Sequence, residues 1–116
     1  MKLTENQQKV MGALVSICRR NVVRYRESCR HLYQDQLDKL MRGDAASVFG
    51  SGGLTFQVGY ALGMKSGSVL SVFKALERKG MVIREKDSGY LCALYWWPVG
   101  LAAELSAELQ EATNHD

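Results

Sequence analysis

Residues Val58 to Asp87 read VGYALGMKSGSVLSVFKALERKGMVIREKD, and the order of signals across them and their flanks decides the fold. Phe56 to Leu62 is a short amphipathic run, with Thr55 placed to cap it. Gly63-Met64-Lys65-Ser66-Gly67 reads as a turn. Ser68 stands where a helix needs a cap. Val69, Val72, Phe73 and Leu76 then fall at i, i+3, i+4 and i+7, the buried stripe of an amphipathic helix over 68–79. Gly80 is the expected stop after Arg78 and Lys79. Met81 to Lys86 reads as a strand, Asp87-Ser88-Gly89 as a turn and Tyr90 to Trp96 as the returning strand. This succession is a helix-turn-helix followed by a β-hairpin wing at 81–96.

Toward the amino terminus, Thr4-Glu5-Asn6-Gln7 has the pattern of a capping box. Val10, Met11, Leu14, Ile17 and Cys18 recur behind it at helical spacing, which predicts a first helix over about Glu5 to Arg20. Asn21 to Arg26 either extends that helix or breaks it. From Glu27 onward, Cys29, Leu32, Tyr33, Leu37, Leu40 and Met41 form a second helical stripe that stops near Gly43. Gly43 to Gly53 is glycine-rich and reads as a flexible loop. After Pro98, Leu101, Leu105 and Leu109 recur every four residues among alanines, which predicts a final helix. The expected class is therefore mainly α with a small β-hairpin wing (α+β). The expected organisation is a winged-helix domain over 1–97 with an inserted helix at about 21–53, and a C-terminal helix over 98–116.

The chain has 116 residues with 47% hydrophobic and 23% charged, which suits one globular domain with a core of its own. The net charge of +3 conceals a polarised distribution. Arg19 to Arg42 and Lys65 to Lys86 are two basic zones, whereas 98–116 holds no Lys or Arg and carries Glu104, Glu108, Glu111 and Asp116. Such polarity is expected of a nucleic-acid binder. Cys18, Cys29 and Cys92 are odd in number and form no C-x-x-C, which argues against a disulfide framework and a zinc ribbon. Cys29 and His31 alone do not make a metal site, so no metal and no cofactor is expected. No signal peptide or membrane-length apolar run is visible, and the expected location is cytoplasmic. His31 and His115 are the only histidines. With no nucleophile–histidine–carboxylate spacing and no phosphate-loop signature, an enzyme is not expected.

The stretch from Val58 to Asp87 resembles the winged helix-turn-helix of MarR-type regulators. The resemblance lies in Leu62-Gly63 ending one helix, the Ser66 to Ser68 turn, the Val69 to Gly80 recognition helix with its Leu-Glu-x-Lys-Gly ending, and Met81 to Arg84 entering the wing. Leu3-Thr4, Gln7, Val10 and Leu14 are also similar to the helix preceding the motif in MarR-type and LexA-type domains. The resemblance covers about half the chain. It implies a small winged-helix transcriptional regulator that binds double-stranded DNA, usually as a homodimer. Two features depart from it: the residues inserted over 21–53, and a recognition face of serines where such helices often carry arginine.

Under this reading Lys65, Ser66 and Ser68 lie at the amino end of the recognition helix, where backbone N–H groups and the helix dipole suit phosphate. Ser71 and Lys74 face base edges one turn further on, with Arg78 beyond them. Leu70 either meets a thymine methyl or is a surface leucine. Arg84 and Lys86 belong to the wing and contact the DNA backbone. Arg19, Arg20, Arg24, Arg26 and Arg30 are expected to project outward as an auxiliary basic surface that either lengthens the footprint or docks an acidic protein. Leu101, Leu105 and Leu109 are expected to be covered by a second copy, unless the inserted helix covers them. Tyr95-Trp96-Trp97 read as core rather than as a stacking platform for bases. The alternative function is an adaptor that binds another protein through 21–53, or an accessory factor in replication or segregation.

Overall fold

The computed structural model describes residues 2–28, 30–44, 52–86 and 94–114, and only the backbone at 30, 86 and 112–114. Its elements are α1 (Glu5–Ser28), α2 (Arg30–Met41), β1 (Gly53–Leu54), α3 (Thr55–Leu62), α4 (Ser66–Arg78), β2 (Val82–Lys86), β3 (Leu94–Pro98) and α5 (Leu101–Asn114). Cys29, the expected turn Asp87-Ser88-Gly89, Cys92, His115 and most of the expected glycine-rich loop lie outside the described residues.

The capping box forms as the sequence predicts. Gln7 N–H donates to Thr4 Oγ1 at 3.2 Å, and Thr4 N–H donates to Gln7 Oε1 at 3.0 Å. Helix α1 then runs past the expected end at Arg20 to Ser28. The cause is a stripe that does not stop: Val10, Leu14, Cys18 and Val22 are buried, and Tyr25 packs at the edge of the same core. No glycine or proline interrupts 21–28. The inserted residues therefore begin as a continuation of α1.

Helix α2 buries Tyr33, Gln36, Leu37 and Leu40, whereas Leu32 and Met41 are exposed. The expected stripe is thus narrower than drawn, and Gln36 belongs to its buried side. Helices α2 and α5 pack on each other.

Helices α3 and α4 form the helix-turn-helix, and α1 packs against both. The turn is shorter than expected. Gly63 takes a left-handed conformation at φ 66° and ends α3, and α4 begins at Ser66 with Lys65 in the cap position. Ser68 is therefore inside the first turn and is not the cap. Gly59 permits the close approach, since a Cβ there would lie 2.8 Å from Met64 O. At the other end Gly80 follows α4 as predicted, with φ 75°.

Strand β3 is the centre of a three-stranded antiparallel sheet in the order β1-β3-β2. It pairs Arg84 with Trp96 and Val82 with Pro98. The returning strand therefore extends to Pro98, beyond the expected Trp96, because Trp97 and Pro98 still find partners on β2. On the other side Gly53 pairs with Trp96, so the last glycine of the expected loop is strand.

Trp96 ties the layers together. Its ring stacks on Phe73 of α4 with centroids 4.5 Å apart and planes 12° apart. Its Nε1–H donates to Thr55 Oγ1 at 2.8 Å. Thr55 thus serves the tryptophan instead of capping α3. The cap position is Leu54, whose N–H donates to Gln57 Oε1 at 2.9 Å. Cys18 donates its S–H to Trp96 O at 3.6 Å. The architecture is a winged helix-turn-helix, mainly α with a small sheet, whose core lies between α1, α4 and β3. Among the described residues no helix is long and apolar enough to cross a membrane.

Candidate nucleic-acid interface

Helix α4 is amphipathic in the strict sense. Val69, Phe73 and Leu76 are buried, while Gly67, Ser71, Lys74 and Arg78 are exposed. These four fall at i, i+4, i+7 and i+11, one solvent-facing line along the helix. The site residues Ser71, Lys74 and Arg78 therefore share a face. Ser71 spends its hydroxyl proton on Gly67 O at 3.1 Å, which leaves its oxygen lone pairs to accept. Leu70 is half-buried and packs against the core, so it is not a free surface leucine.

At the amino end of α4, Lys65, Ser66 and Ser68 are all exposed. No side chain caps the helix. The N–H groups of its first turn therefore face outward at the positive end of the dipole. Among the described residues, no carboxylate lies within ion-pair distance of Lys65, Lys74 or Arg78. Their charge is uncompensated among the described residues.

The wing residues differ. Arg84 is exposed, but its Nε lies 3.0 Å from Glu77 Oε2, which joins β2 to the last turns of α4. Lys86 is the last described residue of β2, and its side chain lies outside the described residues. Lys79, on the flank of α4, donates to Gln7 Oε1 at 3.0 Å and fastens α4 to the start of α1.

The five arginines expected to form one auxiliary surface are dispersed. Arg19 lies 3.2 Å from both Glu104 and Glu108 of α5, and the hydrogen bond it donates to Glu108 is the main reason its pKa is raised. It is a strut between helices. Arg26 sits 5.7 Å from the centre of the Tyr33 ring, a cation–π contact between α1 and α2. Among the described side chains of this set, only Arg20 and Arg24 stand together, on the wall of a groove against α3. The side chain of Arg30 lies outside the described residues. The physical reason is α1 itself: as a continuous helix it sends arginines of different phase to different sides.

The leucines expected to await a second copy are mostly taken. Leu101 and Leu105 are buried within the chain, and Leu109 is half-buried. The partner is α2, so the inserted helix covers the face.

Two aromatic residues of the groove carried no role in the sequence. Phe56 and Tyr60 are exposed on α3, at 61% and 91%. Their i, i+4 spacing was the available signal, hidden because Val58 and Leu62 mark a second apolar face on the same short helix. Cys18 is buried, and burial pushes its thiol up to about 12, which keeps it protonated and unreactive near neutrality.

No family model matches the chain, and no curated protein matches it. Two solved structures resemble it in shape. A MarR protein from Peptoclostridium difficile shares 17% identity at a TM-score of 0.41, over 86% of this chain and 61% of that one. The transcriptional regulator SlyA shares 12% identity at a TM-score of 0.40, over 97% of this chain and 75% of that one. The chain thus spans less than two thirds of the length of the first. The winged-helix architecture stands on the chain's own elements and packing.

Proposed function

We propose that the chain is a winged-helix transcriptional regulator that binds double-stranded DNA through α4. The observation that carries this reading is the line Gly67, Ser71, Lys74 and Arg78, exposed opposite the buried Val69, Phe73 and Leu76, with cations on it that pair with no carboxylate among the described residues. In a helix-turn-helix the second helix enters the major groove. Lys65, Ser66 and Ser68 hold a phosphate at the amino end of α4. Ser71 and Lys74 approach base edges, and Arg78 takes a phosphate further along. Serines discriminate weakly and no bidentate arginine faces outward at the centre of the helix, so phosphate contacts supply most of the affinity. Arg84 joins by exchanging Glu77 for a phosphate, and Lys86 follows it on the wing. No step of this reading requires a cofactor or a catalytic group.

The test is fluorescence anisotropy on duplexes selected from random DNA, at several salt concentrations. Lys74→Ala and Ser71→Ala change the preferred sequence. Arg78→Ala and the Arg84→Ala/Lys86→Ala pair weaken binding to every duplex, and each lost phosphate contact lowers the salt slope by about one. Wild-type affinity in the Lys74→Ala/Arg78→Ala pair overturns the assignment of α4.

The second part of the proposal is a homodimer matched to two half-sites. Since α2 covers Leu101 and Leu105, the second copy seats on what remains open between α1, α2 and α5. Exposed Val23 and half-buried Leu109 border that opening with Tyr33. Sedimentation at micromolar concentration decides it, and a monomer throughout removes the dimer.

A further inference from the structure

Helix α3 has an exposed apolar side. Phe56 and Tyr60 lie one turn apart on it and are exposed, although a short helix in a small domain ordinarily turns such residues inward. Across from them on α1 stand Arg20 and Arg24, also one turn apart and exposed. Ile17 lies at the base, and the groove between the two helices encloses about 310 Å³. Among the described residues no carboxylate pairs with Arg20 or Arg24. Arg19 and Arg26, their neighbours on α1, are both engaged, by Glu104 and Glu108 and by Tyr33. The groove thus combines two open aromatic rings with two uncompensated guanidinium groups.

We propose that the groove between α1 and α3 docks an acidic amphipathic helix of a partner protein, its apolar side chains between Phe56 and Tyr60 and its carboxylates on Arg20 and Arg24. The charge selects the partner's sign, and the arginine fork suits a carboxylate in particular. Tyrosine, phenylalanine and arginine are also residue types on which protein interfaces concentrate their energy. Aromatic rings on one wall, guanidinium groups on the other and Ile17 at the base suit the apolar anchors and flanking carboxylates that an amphipathic helix presents at i, i+3 and i+4. A DNA backbone supplies the negative charge but has nothing apolar to set between the two rings. This site is separate from the exposed line of α4 and does not depend on DNA binding there.

A display library of random 16-residue peptides is selected on the full chain and counter-selected on the Arg20→Ser/Arg24→Ser variant. The expected winners set Asp or Glu beside Leu, Phe or Trp at helical spacing. A labelled synthetic copy of the leading peptide binds the wild type and weakens as salt rises. Its affinity falls at least tenfold in Arg20→Ser/Arg24→Ser and in Tyr60→Ala. Lys74→Ala/Arg78→Ala leaves it unchanged, and circular dichroism confirms the fold of each variant. Selection without an acidic and apolar pattern overturns the proposal, as does peptide binding that survives the groove variants. A tenfold loss of duplex or single-stranded DNA affinity in Arg20→Ser/Arg24→Ser also overturns it, because the groove then belongs to a nucleic-acid footprint.

Discussion

Helices α4 and α5 are nearly equal in length, at 13 and 14 residues, and each buries an apolar stripe. Their outer faces carry opposite charge, and those charges meet different fates. On α5, Glu104 and Glu108 close on Arg19 of α1, so their charge serves to hold the helix. On α4, Lys74 and Arg78 find no carboxylate among the described residues. The one acidic residue of α4, Glu77, is turned to Arg84 of the sheet. A chain this small can satisfy surface charge internally, as α5 demonstrates. The unsatisfied line on α4 is therefore the more informative of the two faces.

The largest expected effect tests the apolar side of α4. Trp96→Ala removes the ring stacked on Phe73 and the donor held by Thr55, in a position with no exposure to solvent. A loss of about 3–5 kcal/mol is expected. Urea unfolding followed by circular dichroism measures it. A loss under about 1 kcal/mol would show that α4 does not lean on β3 as described.

The corresponding test on α5 is Leu105→Asp, set against Leu109→Asp. Leu105 is buried against α2, and losing its apolar contact alone costs about 2–5 kcal/mol before the new charge is counted. Leu109 is only half-buried, so its substitution leaves the fold and acts on self-association. Equal unfolding by both would mean that α5 is held along its whole length by the chain itself. Unfolding by neither would mean that α2 does not cover it.

The comparison also shows which parts of the molecule were legible in the sequence. The Phe56 to Trp96 unit was legible because its signals agree at every level: the stripe of Val69, Phe73 and Leu76, the glycines that end the helices, and the apolar strand with its tryptophans. The exposed face of α4 follows from that stripe, since whatever is not buried on a helix is its complement. The boundaries were less legible. The cap of α4 sits at Lys65 instead of Ser68 because backbone geometry, not a hydroxyl, sets it. The layer of α1, α2 and α5 was not legible as a layer. Each helix displays its own apolar stripe, but no local signal says that α2 and α5 meet each other and not a second copy. The arginines of α1 failed as a group for the same reason: their fates depend on which neighbours each phase of the helix reaches.

A smaller effect probes the joint on which the α4 face depends. Gly59→Ala places a methyl 2.8 Å from Met64 O, a backbone atom that cannot step aside alone. The turn between α3 and α4 must open, at a cost of about 1–3 kcal/mol. Thermal melting reads the loss. Because the same movement shifts α4, duplex affinity should fall further than the lost stability accounts for at a temperature where the variant is folded. An unchanged melting temperature would mean that the turn accommodates a side chain and that the close approach of α3 to α4 is not required.

The smallest effect separates the two helices most cleanly. Arg19→Ser removes both contacts to α5, at Glu104 and Glu108. All three side chains are well exposed, so water and salt screen the pair, and the expected loss of stability is at most about 1 kcal/mol. That loss should shrink further as salt rises, because the interaction is between surface charges. The same substitution should leave DNA affinity and its salt slope where they were, since Arg19 already has its carboxylates. Lys74→Ala/Arg78→Ala should do the reverse, with melting unchanged and a weaker, flatter salt dependence of DNA binding. Running both variants through one melting series and one anisotropy series gives four curves. If Arg19→Ser flattens the DNA salt slope as much as the α4 pair does, internal pairing does not remove a charge from the binding surface. The inference drawn from the bare face of α4 then falls with it.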